Sequence, residues 1–316
     1  MYMKIQINHM KNIRLYFLFI FLVGLVACEE QETITKYEAI PVTATGTKLV
    51  NGTDLFAYIS SDTSYTVTDG VIATEIKYLS MKGLAMKMFI FEIDLTNPKI
   101  SIEASTPNNQ APFAMQRMTE QAKYEDQAGH MVYGGINADF FNTTTGQPRS
   151  IVYKEGIAIK TSFQDANRTY FAITKDKKAI VGDQITYPGV KDNIKEAAGG
   201  CFWLVNDSML VKQTDTTIEP RTCIGVTKDN NKVFMMAVDG RNFWHSNGMS
   251  FEELGQCMLA LGAYNSVNLD GGGSTTFFVR KTPEFIDDRF EIKNWPSDNG
   301  GAERAVANGL LLISGN

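Results

Sequence analysis

The chain has 316 residues, of which 44% are hydrophobic and 11% aromatic, enough for one large globular domain with a small appendage. Its formal net charge of −5 argues against broad, charge-driven binding of nucleic acid and leaves room only for a local basic pocket.

Lys11 and Arg14 precede an apolar run from Leu15 to Val26 that is too short for a comfortable membrane span. The run ends in Leu25-Val26-Ala27-Cys28, which looks like a bacterial lipobox. The expectation is a lipoprotein signal peptide over residues 1–28, with lipidation at Cys28. The protein would then be exported and held in the cell envelope, periplasm-facing or at the surface, touching the membrane only through its acyl chains. Cys201, Cys223 and Cys257 remain, enough for one internal disulfide at most. Cys201 and Cys223 lie on neighbouring strand-like runs and form the expected pair. His130 and His245 are the only histidines after the leader, so a histidine-rich metal site is not expected; an oxygen-ligated ion stays open, and no cofactor is assigned.

Residues 29–75 are polar, with a turn at Asn51-Gly52 and one apolar run at Leu55–Ile59; they read as a tether and small appendage. From residue 76 to 316 the pattern is that of a β-rich domain. Ile100, Ile102 and Ala104 alternate with polar neighbours, a period-two strand after the Thr96-Asn97-Pro98 turn. Hairpins are predicted for Ile151–Tyr153 with Ile157–Ile159, Phe202–Val205 with Met209–Val211, and Ile224–Thr227 with Val233–Val238. One helix is predicted after Pro112, with Met115, Met118 and Ala122 on one face. A second has a capping box, Ser250 with Glu253, an apolar stripe Phe251, Leu254, Met258 and Leu261, and Gly262 to end it. Strands that follow one another through short turns imply an α+β fold, mainly antiparallel sheet with a few packed helices.

The stretch Asn268-Leu269-Asp270-Gly271-Gly272-Gly273-Ser274-Thr275 carries the most chemistry. Consecutive glycines tolerate positive φ and let backbone amides approach a ligand, so an anion cradle beside the Asp270 carboxylate is one reading. A plain Asp-Gly hairpin between Val267–Leu269 and Phe277–Val279 is the other. A Walker loop is excluded, because no lysine follows the glycines and β-rich residues do. Four more segments join polar chemistry to tight turns: Asn137-Ala138-Asp139-Phe140-Phe141, Arg221-Thr222, Asp239-Gly240-Arg241 and Glu303-Arg304, the last opening a strand over Ala305–Ile313.

In this order the segments, with Gly199-Gly200, Arg221-Thr222-Cys223-Ile224-Gly225 and Arg304-Ala305-Val306-Ala307-Asn308, resemble the phosphodiester glycosidase family over about Gly83 to Gly315. The resemblance implies hydrolysis of a sugar 1-phosphodiester at the C1–O bond, giving free sugar and a phosphate monoester. Asp270 is the first choice for the catalytic carboxylate, with Glu303 and Asp239 as rivals. Arg221, Arg241 and Arg304 are candidates for the phosphate grip, because a guanidinium binds phosphate bidentately. Asn137, Asp139, Asn268, Gly271, Gly272, Gly273, Ser274 and Thr275 complete the expected substrate contacts. Phe140 and Phe141 read as core or as sugar-pocket lining, and His245 as a structural histidine or an acid–base group. A P–O-cleaving phosphoesterase and a non-catalytic phosphoglycan-binding lipoprotein are the competing readings; the partner in each case is a sugar phosphate or phosphoglycan.

Overall fold

Apolar residues on both sides of a strand demand cover on both faces, and β3 (Ala85–Asp94) shows how the molecule supplies it. Its Phe89, Phe91 and Ile93 face one core cluster, while Met86, Met88 and Ile90 face another. β14 (Lys232–Val238) behaves likewise, with Val233, Met235 and Ala237 inward and Phe234, Met236 and Val238 outward. The computed structural model describes residues 38–315. The leader and the lipobox cysteine Cys28 lie outside the described residues.

An eight-stranded sheet runs β1-β2-β3-β14-β13-β15-β11-β12. Its strands are β1 (Phe56–Thr68), β2 (Val71–Ser80), β3, β11 (Trp203–Asn206), β12 (Met209–Leu210), β13 (Arg221–Val226), β14 and β15 (Asn265–Asn268). A five-stranded sheet, β17-β16-β5-β18-β4, is built from β4 (Ile100–Ser105), β5 (His130–Asn137), β16 (Phe277–Arg280), β17 (Phe290–Ile292) and β18 (Gly309–Gly315). Another, β7-β6-β10-β8-β9, uses β6 (Val152–Lys154), β7 (Ile157–Lys160), β8 (Arg168–Thr174), β9 (Ala179–Asp183) and β10 (Ile194–Cys201). The inner faces of all three sheets meet in one apolar cluster, where Phe91 of β3 stacks on Phe277 of β16 at 3.9 Å between ring centres. Every strand pairing among them is antiparallel.

Helices α1 (Ala44–Gly52) and α4 (Phe251–Leu261) cover the outer face of the large sheet; α2 (Met118–Glu125) covers the β5/β18 sheet, and α3 (Tyr187–Val190) is a single turn beside the third. α4 matches its sequence signature: the Ser250–Glu253 capping box is formed reciprocally and Gly262 closes the helix at φ +102. α2 begins at Met118, later than predicted, and Met115 stays outside it. The turn expected at Asn51-Gly52 is instead the end of α1. Thr43 caps that helix through Gly46, and Asp62 of β1 accepts the amides of Val42 and Thr43 at 2.7 and 2.8 Å. Tertiary bonds thus stabilise a helix that its Thr, Gly and Val content does not announce. The boundary expected at residues 75 and 76 is also corrected. It falls inside β2, which pairs with β3, so β1 and β2 are part of the large sheet and residues 38–75 belong to one compact unit with the residues that follow.

The disulfide expected between Cys201 and Cys223 is absent; both thiols and that of Cys257 are free and buried. Cys201 ends β10 in one sheet, whereas Cys223 sits in β13 and faces the α4 cluster with Cys257. Among the described residues no helix is long and apolar enough to cross a membrane.

Candidate active site

The hairpin reading of Asp270-Gly271 is excluded by topology: β15 before it and β16 after it belong to different sheets. The chain crosses from one sheet to the next at this turn, and Asn137 at the end of β5 holds the crossing. Its Nδ2 donates to Asp270 O at 2.6 Å, and its Oδ1 accepts from Thr222 Oγ1 at 2.8 Å and Thr276 N at 3.0 Å. Asp270 N donates to Ala138 O at 2.7 Å, which ties the turn to β5 a second time.

The expected anion cradle is corrected by the same geometry. Gly271 N donates to Asp270 Oδ1 at 3.0 Å and Gly272 N to Pro220 O at 2.8 Å, while Ser274 and Thr275 amides bond back into the turn at 3.2 Å each. These four amides are engaged, which takes them out of a cradle, and the glycines also serve shape. Gly272 has φ +60, a region that L side chains rarely adopt, and a Cβ on Gly273 would overlap the Asp298 carboxylate.

Above this turn lies a group of half-exposed charges. Arg304 donates through Nη2 to Ser274 Oγ and through Nη1 to Asp298 Oδ2 at 3.1 Å. The same Nη2 is 3.8 Å from Asp270 Oδ2, close enough to stabilise the carboxylate without closing a tight ion pair. Arg241 lies 3.7 Å from the other oxygen of Asp298 and donates to Glu219 at 2.6 Å. Burial pushes the Asp270 carboxyl up to about 6, against the pull of Ser274, Arg304, the Gly271 amide and Arg149.

Arg149 and Lys160 line a cavity of about 340 Å³ with Asn142, Gln147, Pro148, Ser162 and Gln164, a mainly polar wall. Arg149 acts on the charge of Asp270, and Lys160 on that of Asp139. Asp139 itself is buried behind the turn. Its Oδ2 accepts Ser150 N at 2.7 Å, its amide donates to Asn308 Oδ1 at 2.8 Å, and its Oδ1 has no partner. Burial raises its carboxyl to about 7, with Ser150, Arg168 and Lys160 opposing and Asp270 adding to the rise. Other buried polar atoms without a partner include Asn308 Nδ2 and Arg168 Nη1, on two residues that act on Asp139, and Asn268 Nδ2 and Oδ1, Thr275 Oγ1 and Arg304 Nε, on the segments that carry the turn and its arginine. Such atoms are costly in a finished core and mark a region arranged for something other than stability.

Three expected site residues are placed differently. Glu303 accepts Thr119 N at 3.0 Å and Thr119 Oγ1 at 2.7 Å, so its carboxylate caps the start of α2. Asp239 is buried and fully bonded: Oδ1 accepts from Asn294 Nδ2 at 3.2 Å and Trp295 N at 2.8 Å, and Oδ2 lies 2.9 Å from His245 Nε2. It clamps the loop carrying Arg241 to the loop carrying Asp298 and Arg304. Arg221 donates to Met249 O at 3.1 Å and Thr217 O at 3.0 Å and stacks on Phe251 at 3.9 Å, facing the α4 side. Phe141 belongs to the core cluster under α2, with Arg304 Cζ 6.0 Å from its ring centre. Asp298, Arg149 and Lys160 escaped the sequence reading, since none stands in a recognisable motif. Among the described residues no cluster of three or more His, Cys, Asp or Glu is placed to hold a metal ion.

Segments from separate sheets thus bring together a largely buried carboxylate, Asp270, and a partly exposed arginine, Arg304, that reaches it without a tight ion pair, with Arg149 of the polar cavity acting on the same charge. The model of the phosphodiester glycosidase family matches residues 130–313, and the chain belongs to that family. The N-acetylglucosamine-1-phosphodiester alpha-N-acetylglucosaminidases of Mus musculus and Bos taurus are 24% and 23% identical to it over 186 and 183 residues. Each match covers 52% of this chain and about a third of the relative, 33% and 32% respectively. Among solved structures, the catalytic domain of the zebrafish enzyme of that name, auto-inhibited by its pro-peptide, superimposes with a TM-score of 0.59 at 18% identity, covering 81% of this chain and 88% of that one. A hypothetical protein from Synechocystis gives a TM-score of 0.57 at 13% identity, over 80% of this chain and 64% of the other. These structural likenesses show a shared, mainly antiparallel fold.

Proposed function

We propose that this protein hydrolyses a sugar 1-phosphodiester by breaking the C1–O bond. The observation that carries the reading is the open pairing of Asp270 with Arg304 at 3.8 Å, within electrostatic reach of Arg149, which lines a polar cavity. A tight pair would consume both groups; here the guanidinium keeps capacity for a phosphate and the carboxylate for the reacting carbon.

The sugar ring sits in the cavity against Asn142, Gln147 and Gln164, whose amides suit hydroxyls and an acylamino group. Arg304 binds the diester. A water attacks C1, its proton passes to Asp270, and the electron pair of the C1–O bond leaves with the phosphate. A carboxyl near 6 is ionised at neutral pH and still basic enough to accept that proton. Charge grows on the phosphate as the bond breaks, so the arginine contact strengthens in the transition state. The phosphate monoester has a second pKa of about 6 and leaves without a general acid. Removal of Cys28 by Cys28→Ser would release or strand the protein if the leader is a lipobox; detergent-dependent membrane association that persists in the variant rejects the anchor.

Hydrolysis of an N-acetylglucosamine 1-phosphodiester in heavy-oxygen water, sampled early, tests the chemistry. Label at C1 of the sugar supports the reading. Label in the phosphate monoester would replace it with P–O cleavage, and no turnover across a panel of sugar 1-phosphodiesters would leave a binding protein.

A further inference from the structure

The polar cavity of about 340 Å³ has two cations in its wall, Arg149 and Lys160, and no acid. Among the described residues the Arg149 guanidinium makes no hydrogen bond and no ion pair, and the side-chain amides of Gln147 and Gln164 have no partner. Lys160 Nζ donates to Ser162 O alone. The arginines that serve the fold are closed: Arg280 and Arg289 on Asp126, and Arg168 on Asp165. A half-buried cation with no counter-ion in its own wall adds little to stability, and a cleft lined by one sign of charge draws ligands of the other.

The walls are formed in advance. Asn142 Oδ1 accepts Thr144 N at 2.9 Å and Thr145 N at 3.1 Å, while Asn142 N donates to Gln147 O at 2.9 Å and Gly146 N to Asn142 O at 2.8 Å. Gly146 turns this loop at φ +72, where a Cβ would collide with Ala114 O. The segment after β7 is tied on through Gln164 N, which donates to Arg149 O at 2.8 Å. Little order is left to impose when a ligand arrives.

Short backbone ties connect the cavity to Asp270. Arg149 N donates to Phe140 O at 2.9 Å and Asp270 N to Ala138 O at 2.7 Å. The two residues therefore hang on carbonyls two positions apart in one segment, about 7 Å of chain at full extension. Between them Asp139 Oδ2 accepts Ser150 N at 2.7 Å. Arg149 acts on the charge of Asp270 and Lys160 on that of Asp139. With its carboxyl raised to about 7, Asp139 carries only part of a charge at neutral pH and does not cancel the cavity cations.

We propose that Arg149 and Lys160 bind an anionic group carried by the sugar itself, a carboxylate or a sulfate ester, so that the substrate is the 1-phosphodiester of an acidic sugar. A ring whose C1 meets Asp270 has the cavity cations within reach of its far side. The Arg149 fork takes two oxygens of the anion at once, and Lys160 adds a point charge. The free amides of Gln147 and Gln164 serve the ring hydroxyls. The diester phosphate stays with Arg304, so each anion of the substrate has its own cation. The volume is at the small end for ligand pockets, about 300–1,000 Å³, which suits one sugar unit.

This assignment rests on the hydrolysis proposed above, and the test separates the two. Wild type and Arg149→Gln are compared on the methyl 1-phosphodiesters of glucose, glucuronic acid and glucose 6-sulfate. In wild type kcat/KM for at least one acidic ester should exceed that for the glucose ester about tenfold, and Arg149→Gln should remove most of that ratio. The acidic ester with the larger ratio identifies the group. Arg149 holds nothing else in place, so the variant should melt with wild type; if it does not fold, Lys160→Gln gives the same test. A wild type that turns over the glucose ester as fast as both acidic ones overturns the proposal. So does an unchanged ratio in the folded variant, and an equal loss on all three esters would give Arg149 to the phosphate instead. If wild type hydrolyses none of the three, the hydrolysis itself fails and calorimetry with the intact esters decides the site. Binding of an acidic ester that Arg149→Gln abolishes supports it, and no binding, or binding of all three alike, overturns it.

Discussion

Asp126 and Asp270 each meet arginine, and the contrast between them separates structure from chemistry. The Asp126 side chain is 0% exposed, and its Oδ2 accepts from Arg280 Nη2 and, at 2.5 Å, from Arg289 Nε, while Oδ1 accepts Val132 N at 3.0 Å. Both guanidiniums are themselves closed off: Arg280 donates to the carbonyls of Val132 and Thr282, and Arg289 to that of Ile286. Asp270 instead stands 3.8 Å from an Arg304 whose side chain is 35% exposed. The first arrangement pins α2 to β5, β16 and β17; the second keeps both charges usable. A charge next to a turn becomes a candidate for catalysis only where its hydrogen-bonding capacity is left open.

The largest effect expected from this contrast is on stability. Asp126→Ala should cost about 3–5 kcal/mol, because it leaves two buried guanidiniums without their counter-ion. Denaturant unfolding measures it, and a loss below about 1 kcal/mol would erase the distinction between closed and open sites. Asp270→Asn should do the reverse. Turnover of a sugar 1-phosphodiester should drop about a hundredfold, on the order of 3 kcal/mol, with KM little changed and the melting temperature within a few degrees.

Titration sharpens the same point. Because burial raises the Asp270 carboxyl to about 6 and the ionised form is the one that works, kcat should climb as pH rises through about 6 and level off above it. The sign for stability is opposite. The folded state holds this proton more tightly than the unfolded chain, so wild type should lose stability relative to Asp270→Asn as pH rises from about 4 to about 6. A kcat profile that is flat between pH 5 and pH 7 would take Asp270 out of the base role.

Smaller effects follow at Arg304 and Glu303. Arg304→Lys should lower kcat/KM roughly tenfold or more, since lysine cannot reach Ser274, Asp298 and a phosphate with one planar fork. Glu303→Gln should cost about 1 kcal/mol of stability through the weakened cap on α2 and leave turnover within about twofold. A collapse of activity in a stable Glu303→Gln protein would return Glu303 to the catalytic candidates.

Local patterns in the sequence were sufficient wherever neighbours in the chain decide the outcome. The capping box of α4, the β6–β7, β11–β12 and β13–β14 hairpins and the mainly antiparallel fold depend on residues a few positions apart, and they stand as predicted. So does the family, which its run of Asp-Gly-Gly-Gly-Ser and its ordered turn motifs announce. Tertiary structure alone decided which charges are closed. Glu303 is capped onto Thr119, 184 residues away, and Asp239 is bonded to Asn294 and Trp295 more than 50 residues on, so no local window contains the partner. The same holds for the use of the three glycines. Whether a turn offers its amides to a ligand or binds them to Pro220 and to itself depends on what packs above it, and that is settled only when strands from separate sheets converge.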